Sequence, residues 1–262
     1  MENIGNEHLL ASLEGHVLSL KLNRPESLNS FSPQMIQGLI NALEEARSSE
    51  DVRVITISGA GRSFSAGGDV KTMGETTPGV IYDHIGKLNQ LIKLMKEVEK
   101  PIIAVVHGFA AGAGFNLALA CDLILAANDS KFVLSFSQVG LISDGGGLFF
   151  LPRLIGTHRA KELLFNAEPI DAAYAHSLGI VNRIYPLEEL EAGAMQYAQR
   201  LANGPIKAYG MIKKIADQSL VSSLDEILEQ ERITQAMVVT TEDHQEGVQA
   251  FKEKRKPVFK GK

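Results

Sequence analysis

The sequence predicts an α/β architecture with largely buried strands. Three patterns carry that expectation: short alternating or β-branched apolar runs, helical apolar stripes between them, and glycine-rich segments behind the strands. A chain of 262 residues with 45% hydrophobic composition can bury a large core, which excludes disorder as its main state.

Residues 16–22, His-Val-Leu-Ser-Leu-Lys-Leu, place Leu18, Leu20 and Leu22 on one face, the two-residue period of a strand. Asn23-Arg24-Pro25 stops it. A helix is predicted from Ser32, which can cap, with Pro33 in its first turn and Met35, Ile36, Leu39, Ile40 and Leu43 as its stripe. It should end within Arg47 to Asp51. Val52 to Ile57 predicts a second strand, closing on Gly59 and Gly61. A mobile loop is expected next, through Thr76-Thr77-Pro78-Gly79, and then a helix over residues 81–99 ending before Pro101. Residues 102–106 and 123–127 predict two further strands. After about residue 157 the pattern becomes helical, with breaks at Gly179, Pro186 and Gly204-Pro205. Ser223 and Glu226 have capping-box spacing and open a helix to about Val239. Residues 1–200 read as an α/β core and 201–262 as a C-terminal helical region.

The formal net charge of −5 gives no global basic field for nucleic acid or an anionic membrane surface, so any anionic ligand must be met locally. The single cysteine, Cys121, allows neither an intramolecular disulfide nor a cysteine metal cluster, as suits a reducing compartment. The first residues, Met1 to Glu7, lack the basic-then-apolar order of a signal peptide, and no run approaches the roughly 20 apolar residues of a membrane span. These features point to a soluble, cytoplasmic protein with no nucleic-acid and no membrane partner.

Two glycine-rich segments each follow an apolar strand: Ser63-Phe64-Ser65-Ala66-Gly67-Gly68-Asp69-Val70 and His107-Gly108-Phe109-Ala110-Ala111-Gly112-Ala113-Gly114-Phe115-Asn116. Small residues let a ligand approach the backbone, and N–H groups at a helix start attract an anion. Either segment alone reads more simply as a tight turn. Nucleotide readings fail in detail: there is no Gly-x-x-x-x-Gly-Lys-Ser/Thr, and Gly112 to Leu117 lacks the third glycine of a dinucleotide fingerprint. His-Glu-x-x-His and Gly-x-Ser-x-Gly are also absent.

Taken in order, the segments resemble the crotonase (enoyl-CoA hydratase/isomerase) superfamily. Leu22-Asn23-Arg24-Pro25 with Leu28-Asn29 is similar to its N-terminal motif, Phe64 to Asp69 to its first oxyanion loop, Ile103 to Asp122 to its central signature, and Phe251 to Lys260 to its C-terminal segment. The resemblance implies a crotonase fold of repeated ββα units with a C-terminal helical trimerisation region, an acyl-CoA thioester as substrate, and a homotrimer or homohexamer. Coenzyme A would belong to the substrate, with no other cofactor and no metal. The family's two oxyanion donors fall on the N–H groups of Gly68 and Ala113. Its substrate pocket falls on Ser65, Ala66, Gly67, Gly68, Asp69, Ala113, Gly114 and Phe136. Phe259 and part of the run Lys252, Lys254, Arg255, Lys256 and Lys260 would lie near the coenzyme A phosphates and adenine, although a solvated charge run is the simpler reading of those cations. Removing a proton beside a thioester carbonyl puts charge on its oxygen, and each preorganised N–H donor stabilises that charge by about 2.7 to 4 kcal/mol.

Hydratases of this family use two glutamates. Here the corresponding positions hold Asn116 and Phe136, and neither side chain exchanges a proton near neutral pH. The carboxylate left is Asp144, in Gly140-Leu141-Ile142-Ser143-Asp144-Gly145-Gly146-Gly147, at a position resembling the catalytic aspartate of ring-epoxide, dienoyl-CoA and 3-enoyl-CoA isomerases. Ser143 departs from the usual proline, and an aspartate before a helical run is by itself most simply an N-cap. Because one acid/base suffices to move a proton from C2 to C4 whereas hydration asks for two, isomerisation is the first expectation and hydration the second. A non-catalytic acyl-CoA-binding or assembly subunit is the alternative from another class, and Asp144 discriminates it. Pocket specificity would rest on scattered apolar residues such as Met73, Ile81, Ile85, Phe136 and Phe149. His84 and His107 read as ordinary polar contacts, Asp122 as a structural hydrogen-bond acceptor, and Cys121 as packing.

Overall fold

The structure, a computed structural model, describes residues 5–68 and 77–262. Strands β1 (Leu9–Glu14) and β2 (Val17–Leu22) form a hairpin. Its two-residue turn is Gly15-His16, both at positive φ, which matches the twist of the flanking strands. The sequence did not predict β1, because an edge strand that buries only Leu9 has no period to read. Helix α1 (Pro33–Ser48) starts as expected, with Ser32 Oγ accepting the Met35 N–H at 3.1 Å. After β3 (Val54–Gly59) come α2 (Pro78–Glu97), β4 (Ile102–Val106), the short β5 (Phe109–Ala111) and α3 (Ala113–Ala120). The expected loop before α2 falls partly on undescribed residues. Its end, Thr77 to Gly79, already belongs to the helix start: Thr77 Oγ1 accepts the Val80 N–H, and Pro78 needs no N–H partner there.

Strands β6 (Leu123–Ala127) and β7 (Lys131–Val133) lead into α4 (Gly147–Ile155) and α5 (Thr157–Asn166). Then follow β8 (Ile170–Asp171), α6 (Ala172–Ser177), β9 (Arg183–Tyr185), α7 (Leu187–Ala202), α8 (Ile206–Gln218), α9 (Leu224–Val238) and α10 (Glu242–Glu253). The main sheet runs β1-β2-β3-β4-β6-β9, parallel except for β1, and a second sheet runs β5-β7-β8.

Alternation sorts each strand between two cores. Leu18, Leu20, Ile55, Ile57 and Ala104 face the large core with α1, α2 and α3, whereas Val17, Val54, Ile103 and Val105 face α7 through Leu190, Ala194 and Ala198. Burial of the valine, leucine and isoleucine side chains among these, each worth about 1.5 to 3 kcal/mol, dominates the fold's stability.

The C-terminal helices are tied back by charge. Lys213 of α8 is nearly buried, lies 2.9 Å from an Asp122 oxygen, and donates to the Met95 carbonyl at 2.7 Å. Asp122 also accepts the Ile102 N–H at 2.8 Å, the structural role expected of it. The tail returns to α10, where buried Asp243 accepts the Lys260 and Gly261 N–H groups at 2.6 and 2.9 Å. Arg53, just before β3, donates to the Lys260 carbonyl at 2.8 Å and to that of Phe259 at 3.3 Å. Among the described residues no helix is long and apolar enough to cross a membrane.

Candidate active site

Parallel strands end on one side of the sheet, and both glycine-rich segments leave from there, the first after β3 and the second after β4. Asn29 holds the first. It is fully buried at φ 55°, a left-handed conformation asparagine tolerates, and its Nδ2 lies 2.8, 2.8 and 3.2 Å from the carbonyls of Ala60, Ser63 and Phe64. The Phe31 N–H donates to the Gly67 carbonyl at 2.7 Å, and the Ala66 N–H to that of Leu28 at 2.8 Å. The N-terminal motif is therefore the frame of this loop.

The second segment is laced to the first through β5. Ser65 N–H donates to the Phe109 carbonyl at 3.0 Å, and Ala111 N–H to that of Ser65 at 2.8 Å. Two glycines allow the contact. A Cβ on Gly67 would lie 2.7 Å from Ala113 N, and one on Gly114 would lie 2.6 Å from the Ser65 carbonyl oxygen. Standard bond lengths put Gly68 N within roughly 3.4 Å of the Gly67 Cβ position, so the Gly68 and Ala113 nitrogens are at most roughly 6 Å apart. Neither N–H has an acceptor among the described residues. Ala113 opens α3, so its N–H has no partner within the helix and lies at the positive end of the helix dipole.

Asp144 reaches the same helix terminus. Asn116, fully buried in the first turn of α3, donates through Nδ2 to the Asp144 carbonyl at 2.8 Å and to Ser143 Oγ at 2.9 Å. Positive φ at Gly145 and Gly146 then turns the chain into α4. The capping role suggested for Asp144 is not taken up: Gly146 is the N-cap, no side chain caps α4, and the Gly147 N–H donates to the Asp144 backbone carbonyl at 3.0 Å. The Asp144 Oδ1 atom is buried without a hydrogen-bond partner. Burial pushes this carboxyl up to about 6, with its own backbone N–H opposing. A carboxyl with no hydrogen bond at that oxygen, raised toward neutrality on a turn bolted to the first turn of α3, is suited to moving protons.

The enoyl-CoA hydratase/isomerase family profile matches residues 12–262. The chain belongs to that family. It is 38% identical over 261 residues to the 1,2-epoxyphenylacetyl-CoA isomerase of Escherichia coli, covering 98% of this chain and 99% of that one. It is 34% identical to the 2,3-dehydroadipyl-CoA hydratase of the same organism, covering 97% and 99%. A solved enoyl-CoA hydratase subunit from Geobacillus kaustophilus superimposes with a TM-score of 0.92 at 37% identity, over 98% of this chain and all, 100%, of that one. The α/β crotonase fold expected from the motifs is thus the fold of this family member.

Several expected pocket residues need correction. Ser65 is fully buried, its hydroxyl donating to the Asn29 carbonyl at 2.8 Å and accepting the Gly67 N–H at 3.1 Å, so its side chain is framework. Gly67 and Gly114 are likewise spacers between the loops. Phe259 is not brought to the site within this chain: its carbonyl is held by Arg53, at the opposite end of β3, which at about 3.3 Å per residue lies roughly 20 Å away. Asp69 and Met73 lie outside the described residues. Phe136 does come near, its ring 3.8 Å from the Cβ position of Gly112. Among the described residues no group of three His, Cys, Asp or Glu side chains is placed to hold a metal ion. His107 Nε2 lies 2.9 Å from the Gly61 carbonyl, an ordinary polar contact, and Cys121 is buried. Sequence reasoning missed Leu88 of α2, which lies 3.3 Å from the Cβ position of Gly145 and walls the Asp144 turn. Its helical phase was legible, its partner was not.

Proposed function

We propose that this chain isomerises acyl-CoA thioesters, by a double-bond shift or a ring-epoxide rearrangement, with Asp144 as its acid/base. The observation that carries the reading is the buried, unpartnered Asp144 Oδ1, raised toward neutrality with no capping duty. In the double-bond shift the ionised carboxylate takes a proton from C2, the C–H electrons form the enolate C1=C2 bond, and the thioester oxygen becomes negative. The Gly68 and Ala113 N–H groups stabilise that oxygen as an oxyanion hole. The same carboxyl returns the proton at C4, leaving the double bond between C2 and C3. The 38% identity to an epoxyphenylacetyl-CoA isomerase supports this direction. The reading requires neither metal nor nicotinamide. Exposed Leu224, Leu228, Met237 and Phe251 on α9 and α10 support assembly as a homotrimer or homohexamer.

Hydration is the second reading, supported by the 34% identity to a dehydroadipyl-CoA hydratase. A panel of crotonyl-CoA, 3-hexenoyl-CoA and epoxyphenylacetyl-CoA separates the two. Turnover of either of the last two above crotonyl-CoA hydration is the expected result; fastest hydration of crotonyl-CoA would reverse the order.

A further inference from the structure

We infer that Asn116 is a positioning residue for the Asp144 base, bolting the Asp144 turn to the helix end that presents the Ala113 N–H. The inference rests on the proposed role of Asp144 and adds the device that places it. Asn116 is fully buried, and both its Nδ2 bonds go to the one turn, at Ser143 Oγ and the Asp144 carbonyl. The turn is moulded to this amide. A Cβ on Gly147 would lie 2.3 Å from Asn116 Oδ1 and 2.3 Å from Ser143 Oγ, and one on Gly145 would lie 3.6 Å from the Asn116 Cβ. The Asp144 carbonyl accepts from Asn116 on one side and from the Gly147 N–H on the other. Its peptide is thereby fixed on both flanks, while the Oδ1 atom of the same residue is left without a bond.

An amide suits this task where a carboxylate does not. It offers two N–H donors to two acceptors and stays neutral beside the base. A carboxylate at Asn116 would face the Asp144 carbonyl with an acceptor and add a negative charge to the pocket. Other ionisable groups around Asp144 do not set its charge: Lys96 of α2 pairs with Asp122 and Asp217, Arg153 of α4 lies over the Phe149 ring, and His84 stands one turn before Leu88 on the same face of α2. None of them contributes to the Asp144 shift, which burial causes.

The test compares Asn116→Ala, Asn116→Asp, Ser143→Ala and Asp144→Asn for 3-hexenoyl-CoA turnover across pH, with hydrogen exchange read at the Gly147 N–H. Misplacement of about 1 Å costs on the order of 10²-fold in rate, so Asn116→Ala should lose that much in kcat while KM moves little. Water entering the loosened turn should move the ascending pH limb down, toward the ordinary carboxylate range. Asn116→Asp should move it up through like-charge repulsion. Ser143→Ala, which removes one bond, should fall between wild type and Asn116→Ala in kcat. Exchange at Gly147 should speed up in Asn116→Ala. Should Asn116→Ala fail to fold, the upward limb of Asn116→Asp and the intermediate rate of Ser143→Ala carry the test. Unchanged kcat and pH limbs in the Asn116 and Ser143 variants, beside an inactive Asp144→Asn, would overturn the positioning role alone. Full turnover in Asp144→Asn would overturn both it and the base assignment.

Discussion

Asp144→Asn separates a catalytic from a structural aspartate by the sign of its effect on stability. The Asp144 carboxyl is raised from its usual 3.8 to about 6 by burial, so the folded chain holds its proton more tightly than the unfolded chain does. The stability this represents is complete below about pH 4 and is lost as the pH rises through about 6. At pH 8 the wild type therefore carries an ionised, buried carboxylate at a cost of about 3 kcal/mol, from roughly 2 pH units at 1.36 kcal/mol each. Asparagine has nearly the same size and is neutral at every pH. The variant should be more stable than wild type at pH 8 by up to about 3 kcal/mol, a rise of roughly 5 to 10 °C in Tm for a chain of this length. At pH 4 to 5, where Asp144 is protonated, the gap should close. Turnover should meanwhile fall by about 10² to 10⁴, the usual contribution of a general acid/base, and C2 deuterium exchange should vanish. Calorimetry at the two pH values and a turnover assay measure both. A variant that melts lower at pH 8 and keeps full turnover would refute the reasoning, because Asp144 would then be a structural acceptor.

Three further outcomes are expected. Wild-type kcat should rise with pH through an apparent value near 6, following ionisation of Asp144, and a flat profile from pH 5 to 8 would contradict the base. Gly67→Ala should cut turnover by 10-fold or more, on the order of magnitude of a misplaced donor, and lower Tm: its Cβ would lie 2.5 Å from the Ala111 carbonyl oxygen at φ +83° and push the two loops apart. Lys213→Met should destabilise by at least about 2 kcal/mol in urea unfolding, because Asp122 would lose its nearer cation and keep the Ile102 N–H and Lys96, at 3.5 Å, in a site mostly closed to water.

Much of the framework was legible because its causes are local. Ser32 and Ser223 cap helices through N–H groups three residues away, and the Leu18, Leu20, Leu22 alternation needs only the pleat of a strand. The capping box at Ser223 forms in full, with Glu226 reaching back to the Ser223 N–H at 2.7 Å. Elements with one or two buried residues, such as β1 and the two-residue β8, carry no such period and escaped. The glycine loops were legible as loops, and their order along the chain carried the family resemblance. The purpose of each glycine was not: Gly67 and Gly114 are required by a contact between segments some 45 residues apart, roughly the separation of Gly67 from Ala113 and Gly114.

By itself the sequence determined the strand and helix faces and the two glycine-rich turns, since each depends on residue type and short-range spacing; that Asn116 and Phe136 stand where family hydratases carry glutamates came from the family resemblance. Tertiary structure alone decided which of these residues meet. It turned Ser65 inward as framework, carried Phe259 to the far end of β3, and set Lys213 against Asp122, 91 positions earlier in the chain. It also removed the N-cap role, which is the simplest reading of Asp144 from its local sequence. Gly146 takes the cap position, Asn116 and Gly147 take the Asp144 carbonyl, and the carboxyl is left buried with an unpartnered oxygen. The physical reason is that a side chain's charge state depends on the water removed from around it and on the donors left within reach, both of which come from segments distant along the chain.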